Sequence, residues 1–71
     1  MKELELKGAR TRLGLTQRDL AQRIGMSEGS YQKRESKVQD FKLNDVAAIA
    51  MVLGLKMQQV NDIFFDGNLP A

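Results

Sequence analysis

Apolar positions recur along this chain at helical spacing, and the breaks between them fall on glycine. Leu6, Ala9 and Leu13 share one face and stop at Gly14, which predicts a helix over 6–13. Leu20, Ala21 and Ile24 predict a second over 17–24, ended by Gly25. Thr16 opens it as N-cap with Asp19 three residues on, close to a capping box, with an acid in the first turn. Ser27 is placed to cap a third helix over 28–35. Leu43, Val46, Ala47, Ala50 and Leu53 predict a fourth over 44–53, closed by Gly54, and Val60, Ile63 and Phe64 a fifth over 57–64. Strand-like alternation stops at Leu6. Residues 36–42 form a loop, with Val38 and Phe41 available to turn inward. The expectation is a single all-α domain of five helices over 1–71, with its core in about 6–65 and flexible ends at 1–5 and 66–71.

The third helix breaks the pattern. Tyr31 is its single strong apolar residue, among Glu28, Gly29, Ser30, Gln32, Lys33 and Arg34. So polar a segment has no broad stripe to hold it to a core, and its composition calls for another explanation. The residues before it supply one. Two helices of about eight residues meet across Gly25, Met26 and Ser27. A turn that tight needs a glycine able to take positive φ, and the close crossing needs a small residue, Ala21. Leu20 and Ile24 face the core, while Met26 and Tyr31 plug the angle between the helices. This specifies a helix-turn-helix, whose second helix enters the DNA major groove.

Composition narrows the chemistry. The 71 residues include no cysteine and no histidine, which removes disulfides, thiolate nucleophiles, Cys/His zinc sites and the usual neutral-pH base. No paired carboxylates, glycine-rich phosphate loop or nucleophile–base set is present, so neither an enzyme nor a metal, cofactor or small-molecule ligand is expected. No apolar run approaches the ~18 residues of a membrane span, and the start lacks a signal-peptide core, so a cytoplasmic protein is expected. Charge is uneven: residues 1–42 hold ten Lys/Arg against six Asp/Glu, and residues 43–71 one Lys against three Asp. Ile49, Met51, Met57 and Phe65 exceed what one stripe per helix buries, which makes them candidates for a two-fold homodimer contact through the last two helices.

Residues 15–27 (LTQRDLAQRIGMS) resemble the signature of Cro/CI-type phage repressor domains, the xenobiotic-response-element family. Residues 46–55 (VAAIAMVLGL) are similar to that family's fourth helix and residues 60–65 (VNDIFF) to its fifth. The resemblance implies a compact five-helix, lambda-repressor-like domain that binds double-stranded operator DNA. It puts Glu28, Gly29, Gln32 and Lys33 in base-facing slots, and Gln17 and Ser30 in phosphate-contacting ones. The chemistry agrees: Gln32 is able to pair with adenine N6/N7 and Lys33 to donate to guanine O6/N7, each worth about 1–3 kcal/mol of discrimination. Free N–H groups at a helix start, with the Gln17 amide, suit phosphate. Arg10 and Glu35 match an ion pair between the first and third helices. Arg12, Lys37 and Lys42 are the further phosphate candidates. The match departs at Arg34, which stands in a usually apolar core slot, at Gly29, which removes a reading side chain, and at Glu28, an acid near phosphates.

The expected function is sequence-specific transcriptional regulation by a small Cro-like repressor of a phage, prophage or mobile element, nucleoid-associated when bound. With no second domain for inducer binding or self-cleavage, a Cro-like regulator fits better than a full-length repressor. The alternative is a protein-interaction module, antirepressor- or antitoxin-like, that keeps the fold with weak or lost DNA binding. Glu28, Gly29 and Arg34 are the residues that favour it.

Overall fold

A computed structural model describes residues 1–68 of the chain. Five helices follow in order: α1 (Glu3–Arg12), α2 (Gln17–Arg23), α3 (Glu28–Glu35), α4 (Leu43–Leu53) and α5 (Met57–Phe64). Among the described residues there is no strand. The helices after the first begin and end within a residue of where the apolar spacing puts them.

The first departs: it begins three residues before the spacing puts it, inside the 1–5 expected to be a flexible end. Helix α1 starts at Glu3, where Glu3 and Glu5 meet the positive end of its dipole. The Lys2 N–H donates to the Ile63 carbonyl at 2.6 Å, and Met1 packs against the core. Gly8, which costs helix stability, sits mid-helix, and its carbonyl accepts from Thr11 Oγ1 and Arg12 Nε, both at 3.3 Å. At the other end, 66–68 close a turn: Gly67 N–H donates to Asn61 O and Asn68 N–H to Phe65 O. The remainder of the expected flexible tail, 69–71, lies outside the described residues.

The core joins every helix. Leu6, Leu15, Leu20, Ala21, Tyr31, Ile49, Leu53 and Ile63 form one buried cluster. Ile49 is therefore no dimer contact: it is completely buried, because its face of α4 points at Leu53 and the other helices rather than at solvent. Phe41 does turn inward, its ring centroid 5.6 Å from Tyr31 and 5.9 Å from Phe64, the latter edge-on. Such aromatic pairs add about 0.5–1.5 kcal/mol each beyond burial. Val38 does not turn inward; it is 73% exposed.

Capping and a tight turn set the angle between α2 and α3. Asp19 N–H donates to Thr16 Oγ1 at 3.0 Å and Thr16 N–H to the Asp19 carboxylate at 2.9 Å, completing the reciprocal box. The backbone hydrogen bond holds the Asp19 carboxyl below its ordinary range. Gly25 takes φ +74°, a conformation a Cβ disfavours, and Met26 N–H returns to the Ala21 carbonyl at 2.9 Å. Ser27 Oγ then accepts from Ser30 N–H at 3.2 Å and starts α3 at once. Ala21 is almost wholly buried at this crossing. Ala21→Leu is expected to destabilise the domain by roughly 1–3 kcal/mol through overpacking, lowering Tm by about 5–20 °C. A thermal melt indistinguishable from that of the parent protein would show the crossing to be looser than described.

Candidate nucleic-acid interface

Helix α3 divides cleanly by exposure. Tyr31 and Glu35 are buried on its inner side, while Glu28, Gly29, Gln32 and Lys33 are exposed. Spacings of three and four residues put these four on one face, along a rod about 12 Å long at 1.5 Å per residue. Ile24 and Met26 pack half-buried against the core at the turn behind it. A Cβ at Gly29 would meet nothing within 4 Å, so the space beside it is open. Gln32 Nε2 donates to the Glu28 carboxylate at 3.4 Å, so the amide and the acid restrain one another.

The inner side of α3 is held by a buried ion pair. Arg10 donates through Nε to Glu35 Oε2 and through Nη2 to Glu35 Oε1, both at 3.0 Å, in a parallel fork. Its Nη1 donates to the Leu15 carbonyl at 2.7 Å, which ties in the α1–α2 loop. Both residues are only 5% exposed. The hydrogen bond to Glu35 raises the Arg10 guanidinium further above its usual value. Burial by itself would push the Glu35 carboxyl up; hydrogen bonds from Arg10 and its other neighbours outweigh it and hold it below the ordinary carboxylate range. Burial, with Glu35 beside it, pushes the Tyr31 hydroxyl well above the usual tyrosine range, so it stays protonated.

Gln17 joins this network: its Nε2 donates to Glu35 Oε1 at 3.3 Å. The amide proposed from the sequence to meet phosphate is thus anchored on a carboxylate in the core. Glu3, Leu4, Lys7, Gln17, Glu35 and Ser36 line a cleft at this point. Lys7 escaped the sequence reasoning, although its place three residues before Arg10 on one helix was a usable signal.

The remaining expected phosphate residues are spread more widely. Ser30 is half-buried, and its carbonyl accepts from Arg34 Nη1 at 3.2 Å. Lys37 and Lys42 are exposed at the two ends of the α3–α4 loop. The Lys42 N–H donates to the Asp45 carboxylate at 2.9 Å, which caps α4. Arg12 lies in clefts shared with Gln59 of α5 and is not brought to the Gln17 cleft. Arg34 fills its usually apolar slot half-buried, its Nε 3.9 Å from Asp45, and so braces α3 against α4. Among the described residues no acidic cluster has the makings of a metal site, and no helix is long and apolar enough to cross a membrane.

Five helices around one core, with a capped helix-turn-helix offering a polar second helix, define a helix-turn-helix domain. The helix-turn-helix family model matches residues 6–60, and the chain belongs to that family, the Cro/CI-type DNA-binding transcription regulators. It is a family of regulators rather than enzymes. No curated protein and no solved structure matches the chain.

Proposed function

We propose that the protein is a sequence-specific regulator that lays α3 in the major groove of double-stranded DNA, acting as a small Cro-like repressor in a phage, prophage or mobile element. The observation that carries this reading is the exposed face of α3, four polar or small residues with no apolar side chain among them, on a helix whose back is fixed to the core by Tyr31 and Glu35. Glu28, Gly29, Gln32 and Lys33 meet base edges there, with Gln17, Ser30, Lys37 and Lys42 on phosphates. The phage setting and the repressor role rest on the resemblance of residues 15–27. Such a protein works on the nucleoid, in the cytoplasm.

Two recognition helices one DNA turn apart, ~34 Å, require a homodimer. Met51 and Met57 are 84% and 75% exposed, and Leu43, Ala47 and Met51 make an apolar outward stripe on α4. Phe65 is half-buried in a groove beside Met1, Phe41 and Leu43. The dimer forms through these surfaces of α4 and α5.

Selection from a random duplex library, followed by fluorescence anisotropy against salt, tests the reading. A selected palindromic site and a log–log salt slope of about −4 to −5, from 4–6 neutralised phosphates per dimer, are expected. A slope near zero and an unenriched library would sink it. The second reading, a protein-interaction module, is favoured by the Glu28 carboxylate that engages the Gln32 amide. It predicts a stoichiometric protein partner in place of a selected sequence.

A further inference from the structure

Helix α3 ends on a backbone conformation that its sequence does not suit. Lys37 has φ +70°, in the left-handed region where a Cβ is disfavoured and glycine is the usual occupant. The hydrogen bonds around it are those of a Schellman ending: Lys37 N–H to Arg34 O at 3.1 Å and Val38 N–H to Lys33 O at 2.8 Å. Ser36 Oγ adds bonds to the Gln32 and Lys33 carbonyls, so the Gln32, Lys33 and Arg34 carbonyls are satisfied without the side chain of residue 37.

Nothing in the turn needs a lysine side chain. The apolar contact that often seals such an ending is missing, since Val38 is exposed and lies opposite Lys33. Among the described residues the Lys37 ammonium has no carboxylate within ion-pair distance and no hydrogen-bond acceptor, and the side chain is exposed. It borders a shallow cleft with residues 1–5, among them the cation Lys2 and the acids Glu3 and Glu5, so it stands at the edge shared by the start of α1 and the end of α3. The cation does lie near the negative end of the α3 dipole, a favourable but small and salt-screened interaction.

We propose that Lys37 trades fold stability for nucleic-acid affinity: its side chain is a phosphate anchor, and the left-handed backbone beneath it is strain that the anchoring role maintains. This rests on the DNA-binding reading above, and it adds what that reading does not contain, a position where improving the fold harms binding. Glycine at 37 relieves the strain and removes the cation; arginine keeps both; asparagine, tolerant of the left-handed region, removes the cation and part of the strain.

The test measures urea unfolding together with anisotropy on a mixed-sequence duplex of about 30 base pairs, long enough for two half-sites, across a range of salt. K37G is expected to raise the folding equilibrium constant roughly two- to fivefold. The same variant should bind the duplex roughly five- to tenfold more weakly at 0.1 M salt, with the slope shallower by about 0.9 for each protomer bound. K37R should match the parent in both measurements, and K37N should bind like K37G. If K37G is more stable yet keeps the parent's affinity and slope, the anchoring role is overturned. If K37G is less stable than the parent, the strain is overturned and the lysine serves the helix dipole. A parent protein that ignores the duplex altogether brings down the DNA-binding reading, and this inference with it, a result told apart from the others because it appears before any substitution is made.

Discussion

Arg10→Met should lose about 3–5 kcal/mol of stability, the cost of leaving a buried carboxylate without its partner. For a chain of 71 residues, whose whole margin is on the order of 4–10 kcal/mol, that brings the domain close to unfolding at room temperature. The geometry sets the size of the effect. Glu35 would keep the Gln17 amide and lose both arms of the fork, and the Leu15 carbonyl would lose its donor as well. Replacing the pair together, Arg10→Met with Glu35→Leu, should recover most of the loss, since no buried charge then remains. Circular-dichroism melts of the two variants decide the matter, and a single variant within a few degrees of the parent would show the pair to be dispensable. The pair also fixes the response to acid. The Glu35 carboxyl is lowered on folding, so its contribution is complete above the unfolded value of about 4.5 and is lost as pH falls through the lower folded value. The Asp19 carboxyl, which caps α2, shifts in the same direction. Unfolding midpoints should therefore be flat near neutrality and fall below about pH 4.5, with Arg10→Met removing the share that Arg10 gives through Glu35 and leaving the Asp19 share in place.

Gln32→Ala combined with Lys33→Ala should abolish sequence preference while leaving the melting temperature nearly unchanged. Both side chains are exposed, and neither contributes to the core cluster. Each base contact is worth about 1–3 kcal/mol of discrimination, so losing two should reduce the preference for a selected site over a scrambled one by roughly 30-fold or more. Binding to the scrambled duplex should fall far less, because phosphate contacts supply most of it. A double variant that still prefers the selected site by the parent's margin would remove α3 from the reading role. The hydrogen bond between Gln32 and Glu28 adds a control. Glu28→Gln keeps the side chain's length and removes its charge, so it should strengthen binding to a scrambled duplex, with only a small drop in the melt from the lost first-turn acid.

Much of this architecture was legible in the chain because local signals agreed with global ones. Thr16 with Asp19, Ser27, and the glycine at 25 each fix a helix boundary by a short-range hydrogen bond or a backbone angle, and short-range physics can be read from adjacent letters. The inward direction of Tyr31 and Ala21 followed from the same spacing. What escaped was decided at long range. The start of α1 depends on Lys2 reaching Ile63, a contact 61 positions away, and no local pattern signals it. Ile49 was misassigned because α4 is apolar on nearly every side, so that periodicity cannot say which side faces in. Val38 stayed out, exposed beyond the left-handed turn at Lys37 that ends α3. Of the interface, the exposed set on α3 was readable as a helix with too little to bury. The anchoring of Gln17 on Glu35 was not, because it needs three helices placed at once.

That anchoring has a genetic consequence. Since Glu35 holds Arg10 on one side and the Gln17 amide on the other, lesions in the protein's interior and lesions on its outer face should give the same loss-of-regulation phenotype. A screen for colonies that have lost the regulation would thus collect alleles at 10 and 35 together with those at 32 and 33, and second-site suppressors would sort them. Generally stabilising changes elsewhere in the chain should rescue the former group and leave the latter defective.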